Sequence, residues 1–329
     1  MDTCNLEPDQ LEKYVCRTLE IVDYTLDDAE LERRCPLDHG RHIVQPRESL
    51  GQLDTLPYEL VADILLALDL PSLVTFRRVN CRAIGLIDSL HEYRMISENC
   101  INVLRAAVSL DATSFSCWDL YQTLSTSNCD TCSWFGGYLY LITGKRVCWS
   151  CFTRQQRYFP LLAGEITRYT GLSGGALVSL PHITSLPGCY TPFLDVSKER
   201  ILLYDQRAVF DASPKLPSHE FYSEIQGRDL LAMEPRRYMA IISAPYFRPS
   251  DLTVDWGYYC AGCKGHEEFP QHFRDKYTED GIINHIKRRG MSPGAQDNDE
   301  GPCFVQHHQG GVTCSHQSKV REITQSRPE

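Results

Sequence analysis

Apolar residues recur at helical spacing along Leu53–Ile96, in greater number than a segment this short can bury within itself. Leu56, Leu60, Ile64 and Leu68 repeat every fourth residue, while Val61 and Leu65 widen the stripe. Pro57 falls where a first helical turn tolerates proline, because its missing N–H has no intrahelical partner there. The pattern breaks over Asp69–Ser72, and Leu73, Val74, Phe76 and Val79 begin a second short helix. A third starts near Arg82, with Ile84, Ile87 and Leu90 inward. Three short helices, apolar on more than one face, require an outside partner to cover the remainder.

Beyond this segment the periodicity shifts several times. Upstream, Leu11–Ile21 and Leu26–Arg34 are short helix candidates. Downstream, 91–111 reads as one longer helix with Tyr93, Ile96, Cys100, Val103, Leu104 and Ala107 on one side. Another follows in "TSFSCWDLYQTLST", with Thr113 or Ser114 as its cap. Tyr138–Ile142 is β-prone and is followed by a turn at Thr143-Gly144-Lys145. A helix is expected near Glu165–Thr170, then a glycine stop and a second short helix ending at Pro181. "KERILLYDQRAVFDA" suggests a strand–helix step, "RRYMAIISAPYF" a buried strand, and "YTEDGIINHIKRRG" a helix capped by Thr278. The expected class is α+β, predominantly α. The expected divisions are an acidic segment at 1–50, a helical unit at 51–96, an α/β region at 97–291 and a disordered tail at 292–329.

Composition narrows the chemistry. Hydrophobic residues make up 42% and charged ones 23% of 329 residues, as in a folded soluble protein. The net charge is −10, and residues 1–50 alone hold twelve acidic against six basic side chains. Such a surface does not attract phosphate backbones or anionic lipid at long range. No run approaches the roughly 18 apolar residues of a membrane span. The first residues lack the basic start and apolar centre of a secretion signal. An intracellular, reducing location in cytoplasm or nucleus is therefore expected, and the fifteen cysteines need a role other than disulfides. Cys81, Cys100 and Cys117 fall inside helical apolar patterns, where free cysteine serves as a small core residue.

Four others form a constellation. Cys129 and Cys132 make one Cys-x2-Cys pair and Cys148 and Cys151 a second, with fifteen residues between the pairs. Each pair can turn two sulfurs toward one ion within a tight knuckle, and the intervening hairpin brings the pairs together as a closed tetrahedral Zn2+ site. Gly136-Gly137 lets the chain leave the first knuckle. Four thiolates leave no open position for catalysis. Nucleic-acid binding by such a ribbon is the main rival role, yet Lys145 and Arg146 are the only basic residues between the knuckles, too few for a phosphate footprint.

Leu56-Pro57-x-Glu59-Leu60, Ile64-Leu65, Leu68, Leu73, the Arg77–Val79 step and the closing "DSLHEYRMI" together resemble an F-box. Gly171-Leu172-Ser173, Leu180-Pro181, Leu186-Pro187-Gly188 and Tyr190 follow a rhythm similar to that of fungal F-box proteins, so the resemblance covers roughly residues 53–290. It implies docking on the Skp adaptor, and through it on a cullin, by Leu56, Pro57, Leu60, Ile64, Leu65, Leu68, Leu73, Phe76 and Val79. The remainder would present an unidentified protein substrate to a ubiquitin ligase, and the chain itself would catalyse nothing.

A third Cys-x2-Cys, Cys260 and Cys263, precedes a helix carrying His285, and a second Zn2+ site is expected from these three residues. Related fungal chains place a cysteine a few residues after that histidine, but Arg288, Arg289, Gly290 and Met291 stand there instead. The fourth ligand is left open among His266, His272, Cys303 and water. In the tail, Cys303, His307, His308, Cys314 and His316 are further metal-binding residue types. Two other functions remain at this point: a zinc-dependent nucleic-acid-binding or transcriptional protein, and a metallo-hydrolase built on Cys260, Cys263 and His285.

Overall fold

The computed structural model describes residues 11–12, 14–17, 22–37, 48–192, 196–213, 221, 234–263, 274–289, 291–293 and 305–307. Helix predominates and the strands are short, as expected of an α+β chain. The elements in order are β1 (Val15–Cys16), α1 (Asp28–Arg34), a 3-10 turn (Gly51–Thr55), α2 (Tyr58–Leu66), α3 (Leu70–Arg77), α4 (Cys81–Ser89), α5 (His91–Asn99), α6 (Ile101–Ser109) and α7 (Cys117–Leu124). Then come β2 (Tyr138–Tyr140), β3 (Lys145–Val147), α8 (Trp149–Arg154), a 3-10 turn (Gln156–Tyr158), α9 (Ala163–Thr170), α10 (Gly175–Val178), β4 (His182–Thr184), β5 (Leu202–Tyr204) and α11 (Gln206–Ala212). The last described stretch holds α12 (Pro235–Met239), β6 (Ile241–Ser243), β7 (Tyr246–Phe247), β8 (Val254–Asp255), β9 (Tyr258–Cys260), a 3-10 turn (Ala261–Cys263), β10 (Lys276–Tyr277), α13 (Glu279–Arg289), β11 (Met291–Pro293) and β12 (Val305–His307).

The main core is helical on one side and sheet on the other. Val61, Leu65, Leu70, Leu73 and Val74 from α2 and α3 pack with Ile87, Ile96, Val103 and Leu104, and the same core continues into Leu139, Ile142, Val147 and Ile241. The break read at Asp69–Ser72 is a helix start: the Asp69 carboxylate accepts from the Ser72 N–H at 2.8 Å, and Pro71 sits in the first turn. α3 and α4 are joined by Arg77, whose guanidinium donates to both oxygens of Asp88 at 2.7 and 2.8 Å.

Residues 91–111 differ from the expected single helix. The chain leaves helical geometry at Cys100 (φ −150°, ψ 53°), making two helices, α5 and α6. The expected inward face survives the break, since Tyr93, Ile96, Cys100, Val103, Leu104 and Ala107 are all buried. The turn lets α6 pack against α1 as well as α5. The cap of α7 is Ser116 rather than Thr113 or Ser114. It forms a reciprocal box with Asp119, in which the Ser116 hydroxyl accepts from the Asp119 N–H and the Asp119 carboxylate accepts from the Ser116 N–H.

Strands meet across long sequence separations. β2 pairs with β3 as the expected hairpin and, on its other edge, with β6, so Leu139 lies opposite both Arg146 and Ile242. β9 is flanked by β1 and β10, with Val15 opposite Cys260 and Tyr277 opposite Tyr258. The expected helix at Leu11–Ile21 therefore holds a strand, because Val15 and Cys16 gain a β-ladder partner that no local pattern reveals. α1 fulfils the second N-terminal expectation, capped by Asp27. The 236–247 stretch, expected as one buried strand, instead begins within α12, which Pro235 starts, and is strand at Ile241–Ser243 and again at Tyr246–Phe247. Of the tail expected to be disordered, 292–329, the described residues pair as β11 with β12, Met291 opposite His307, and the rest of that segment lies outside the described residues.

Candidate functional site

Three features carry chemistry or contact: two cysteine clusters and an exposed apolar face. The first cluster sits where the β2–β3 hairpin joins its flanking knuckles. The sulfurs of Cys129, Cys132, Cys148 and Cys151 lie within 4.8 Å of one another, all buried, and could hold a metal ion. The Cys132 and Cys148 sulfurs are 3.6 Å apart. Four sulfurs at about 2.3 Å from one ion at tetrahedral angles stand about 3.8 Å apart, whereas a disulfide needs about 2.05 Å. The expected ligand set is thus brought together at metal-binding spacing.

Local backbone geometry shapes each knuckle. The Cys129 carbonyl accepts from Ser133 N–H at 3.1 Å, and the Cys129 N–H donates to the Trp134 carbonyl. Ser133 takes the left-handed conformation (φ 62°) that this tight return requires. Cys148 caps α8, its sulfur accepting from the Cys151 N–H at 3.4 Å, and Cys129 sulfur accepts likewise from Thr131 N–H at 3.5 Å. Gly136 and Gly137 matter for space rather than for unusual backbone angles. A Cβ would collide with the Arg146 side chain at Gly136 and with the Lys276 side chain at Gly137. Gly144 does supply a positive φ of 66° at the hairpin turn.

Proton affinities within the cluster diverge. Burial, reinforced by the neighbouring thiols, pushes Cys148 well up, and the hydrogen bond with Cys129 pushes Cys151 up. Cys129 comes down in spite of its contact with Cys132, because Cys148 and Cys151 donate to it. A cation bound among these thiols must displace their protons. By contrast Cys100 and Cys117 are isolated in the core; burial holds both as thiols, Cys117 up to about 12. Their role is packing, as their helical placement suggests.

Arg146 does not face solvent. It is almost wholly buried, and its guanidinium donates to the carbonyls of Thr123 (3.1 Å), Leu124 (3.4 Å), Pro245 (2.5 Å) and Gly136. Burial brings it down to about 10. Of the two basic residues between the knuckles, only Lys145 is available to a phosphate.

The second cluster gathers Cys260, Cys263 and His285, all buried and within 4.8 Å of one another, and could also hold a metal ion. Cys263 sulfur and His285 Nε2 are 3.3 Å apart, against about 3.6 Å for two such ligands on a tetrahedral ion. β9 delivers Cys260, the following 3-10 turn delivers Cys263, and α13 delivers His285 from its inward face beside Ile282 and Ile286. As expected, Thr278 starts that helix, its hydroxyl accepting from the Gly281 N–H at 3.2 Å. His266, His272 and Cys303 lie outside the described residues.

Sequence reading missed the wall between the clusters. Trp134, just beyond Cys132 in the first knuckle, meets Tyr277 edge-on, and the Tyr277 ring stacks at 4.8 Å from that of His285. Ser150, between Cys148 and Cys151, donates to Asp275 at 2.9 Å. Between these contacts runs Lys276, buried, its ammonium over the rings of Tyr138 and Tyr259 and donating to the Ser243 hydroxyl at 2.9 Å. No local pattern marks Asp275-Lys276-Tyr277 as the segment that joins two sites.

The third feature is the outer side of α2. Leu56, Pro57, Tyr58, Leu60, Ile64 and Val79 are exposed, with Leu60 at 50% and Val79 at 62%. Leu68 and Phe76 are half-buried. Leu65 (2% exposed) and Leu73 (0%) point into this chain's own core, which corrects their expected place among the docking residues. The stripe has two sides: Val61 and Leu65 serve the fold, while Leu60 and Ile64, one helical turn apart, face outward. Tyr58, at the variable position of the Leu-Pro-x-Glu-Leu motif, joins that outer side, and its hydroxyl reaches Ser89 at 3.1 Å.

Compared with protein-family models, curated proteins and solved structures, the chain has no match. Among the described residues, no helix is long and apolar enough to cross a membrane.

Proposed function

We propose that the chain is a substrate receptor of a cullin–RING ubiquitin ligase, docking on the Skp adaptor through its 51–96 segment. The observation that supports this most is the unsatisfied outer face of α2. Leu56, Tyr58, Leu60 and Ile64, with Val79 beyond α3, remain exposed although Val61, Leu65, Leu73 and Val74 of the same segment are covered by the chain's main core. A merely structural helix would turn such residues inward, and a patch of this kind on one element is the mark of a partner site. The F-box resemblance names the partner. Both cysteine clusters take Zn2+ in this reading, since thiolate and imidazole sets of tetrahedral spacing suit that ion, and their role is to brace the region that presents the substrate. Catalysis belongs to the conjugating enzyme, and the receptor contributes proximity.

The test is co-purification of the full chain with the Skp adaptor. A 1:1 complex that is lost in a Leu60→Asp/Ile64→Asp variant supports the reading. A wild-type chain that stays monomeric in the presence of the adaptor would sink it.

A further inference from the structure

Arg77, Arg105 and Arg236 are buried, and each meets a carboxylate: Asp88 at 2.7 Å, Glu32 at 3.4 Å and Glu165 at 2.7 Å. Arg146 is different. It is 2% exposed, and among the described residues its guanidinium meets carbonyls alone, those of Thr123, Leu124, Gly136 and Pro245. Carbonyls satisfy its N–H groups but do not balance its charge, and an uncompensated buried charge is among the costliest arrangements in a protein interior. Lys276 adds a second buried cation beside it, but that one faces the carboxylates of Asp23 and Asp255.

The place of Arg146 in the fold points to the balancing charge. It stands two residues before Cys148, and its carbonyl accepts from the Asp130 N–H at 2.8 Å, inside the first knuckle. Gly136 alone parts its stem from Cys129: a Cβ there would collide with the stem and stand 3.3 Å from the Cys129 Cα. The guanidinium then reaches the Gly136 carbonyl, at the exit of the same knuckle.

We propose that Arg146 is the counter-ion of the first metal centre. Four thiolates on Zn2+ carry two negative charges in excess, and this centre is wholly buried. The Thr131 and Cys151 N–H groups lend dipoles to the Cys129 and Cys148 sulfurs, but a dipole does not neutralise an anion. Guanidinium and tetrathiolate each supply the charge that the other lacks. Arg146 is thus a positioning residue that raises metal affinity without touching the metal. The inference rests on the reading that Cys129, Cys132, Cys148 and Cys151 hold zinc, and not on adaptor docking.

Zinc retention at this centre can be followed in the full chain, with or without adaptor, as a chelator is added stepwise. N-ethylmaleimide labelling of the peptides carrying Cys129, Cys132, Cys148 and Cys151, read by mass spectrometry, reports the loss. Arg146→Met and Arg146→Lys both give up the fork that reaches four carbonyls, but only Arg146→Lys keeps the charge. Arg146→Met should release zinc at a chelator concentration about tenfold or more below that for wild type, and Arg146→Lys should stay within about threefold. Equal losses in the two variants would make Arg146 a hydrogen-bonding brace and overturn the proposal, as would wild-type retention in Arg146→Met. Should Arg146→Met fail to fold, Arg146→Lys decides: folded and zinc-loaded it supports the charge role, and unfolded or stripped at this centre it defeats it. Labelling of all four cysteines in the untreated wild-type chain would instead defeat the zinc reading itself, and the counter-ion with it.

Discussion

The indole of Trp134 meets the ring of Tyr277 edge-on, with centroids 6.2 Å apart and planes at 71°. One residue belongs to the first cysteine knuckle, and the other stacks on the histidine of the second cluster. The two centres therefore share a wall, and loosening one should be felt at the other. An aromatic pair of this geometry contributes about 1 kcal/mol beyond its buried area. Trp134→Ala should accordingly speed chelator extraction of metal from the second centre about fivefold, with Trp134→Phe close to wild type. Identical extraction kinetics in wild type and Trp134→Ala would show that the rings touch without coupling.

Cys148 both caps α8 and stands in the first cluster. Cys148→Ser should remove one metal ion and unfold the β2–β3 hairpin with its partner β6. Metal binding at a structural site is folding energy, on the order of 10 kcal/mol in small zinc peptides. The loss should appear in metal content and in thermal unfolding together. Unchanged values for both would refute a metal ribbon.

The two sides of α2 should separate cleanly in mutants. Leu60→Asp and Ile64→Asp alter exposed positions and should change stability by no more than about 0.5 kcal/mol while weakening adaptor capture at least tenfold. Leu65→Ala and Leu73→Ala should cost about 2–5 kcal/mol, because each empties space in the core. Urea unfolding and adaptor pull-down measured on the same four variants provide the check. The assignment of sides fails if the Leu60 and Leu65 effects exchange places.

Burial brings Lys276 down to about 8 from an ordinary 10.5, so the folded state gives up this proton before the unfolded one does. Between those values the unfolded chain binds more protons, and stability must rise with pH on this account. The contribution is fully present above about 10.5 and is lost as pH falls through about 8. Relative to Lys276→Met, wild type should therefore gain stability from pH 8 to 10, before most tyrosines ionise. A constant difference across that window would place the lysine charge in water.

Much of the helical half is legible in the sequence, since spacing alone places Ile87, Leu90, Ile96, Val103 and Leu104 inside. The Cys129–Cys151 cluster is legible too, because knuckle spacing and a β-prone interval leave one way to bring four sulfurs together. What could not be read is long-range or requires a choice of side. Both Leu60 and Leu65 lie on apolar positions of α2, and only tertiary packing, with α7 against α2, decides which is covered. The break at Cys100 has no glycine or proline to announce it. Val15 reads as helical until its partner, Cys260, is known.

Cys16 and Tyr259, neighbours in one ladder, are 243 residues apart in the chain. A ribosome releasing this polypeptide presents the 51–96 helices and the Cys129–Cys151 knuckles well before β9 and β10. The β1 strand must wait, unpaired, until nearly all the rest has been made. During synthesis the exposed outer face of α2 is thus offered before the second cluster can close, so a partner that covers it has the opportunity to act as a nursemaid to the half-made chain.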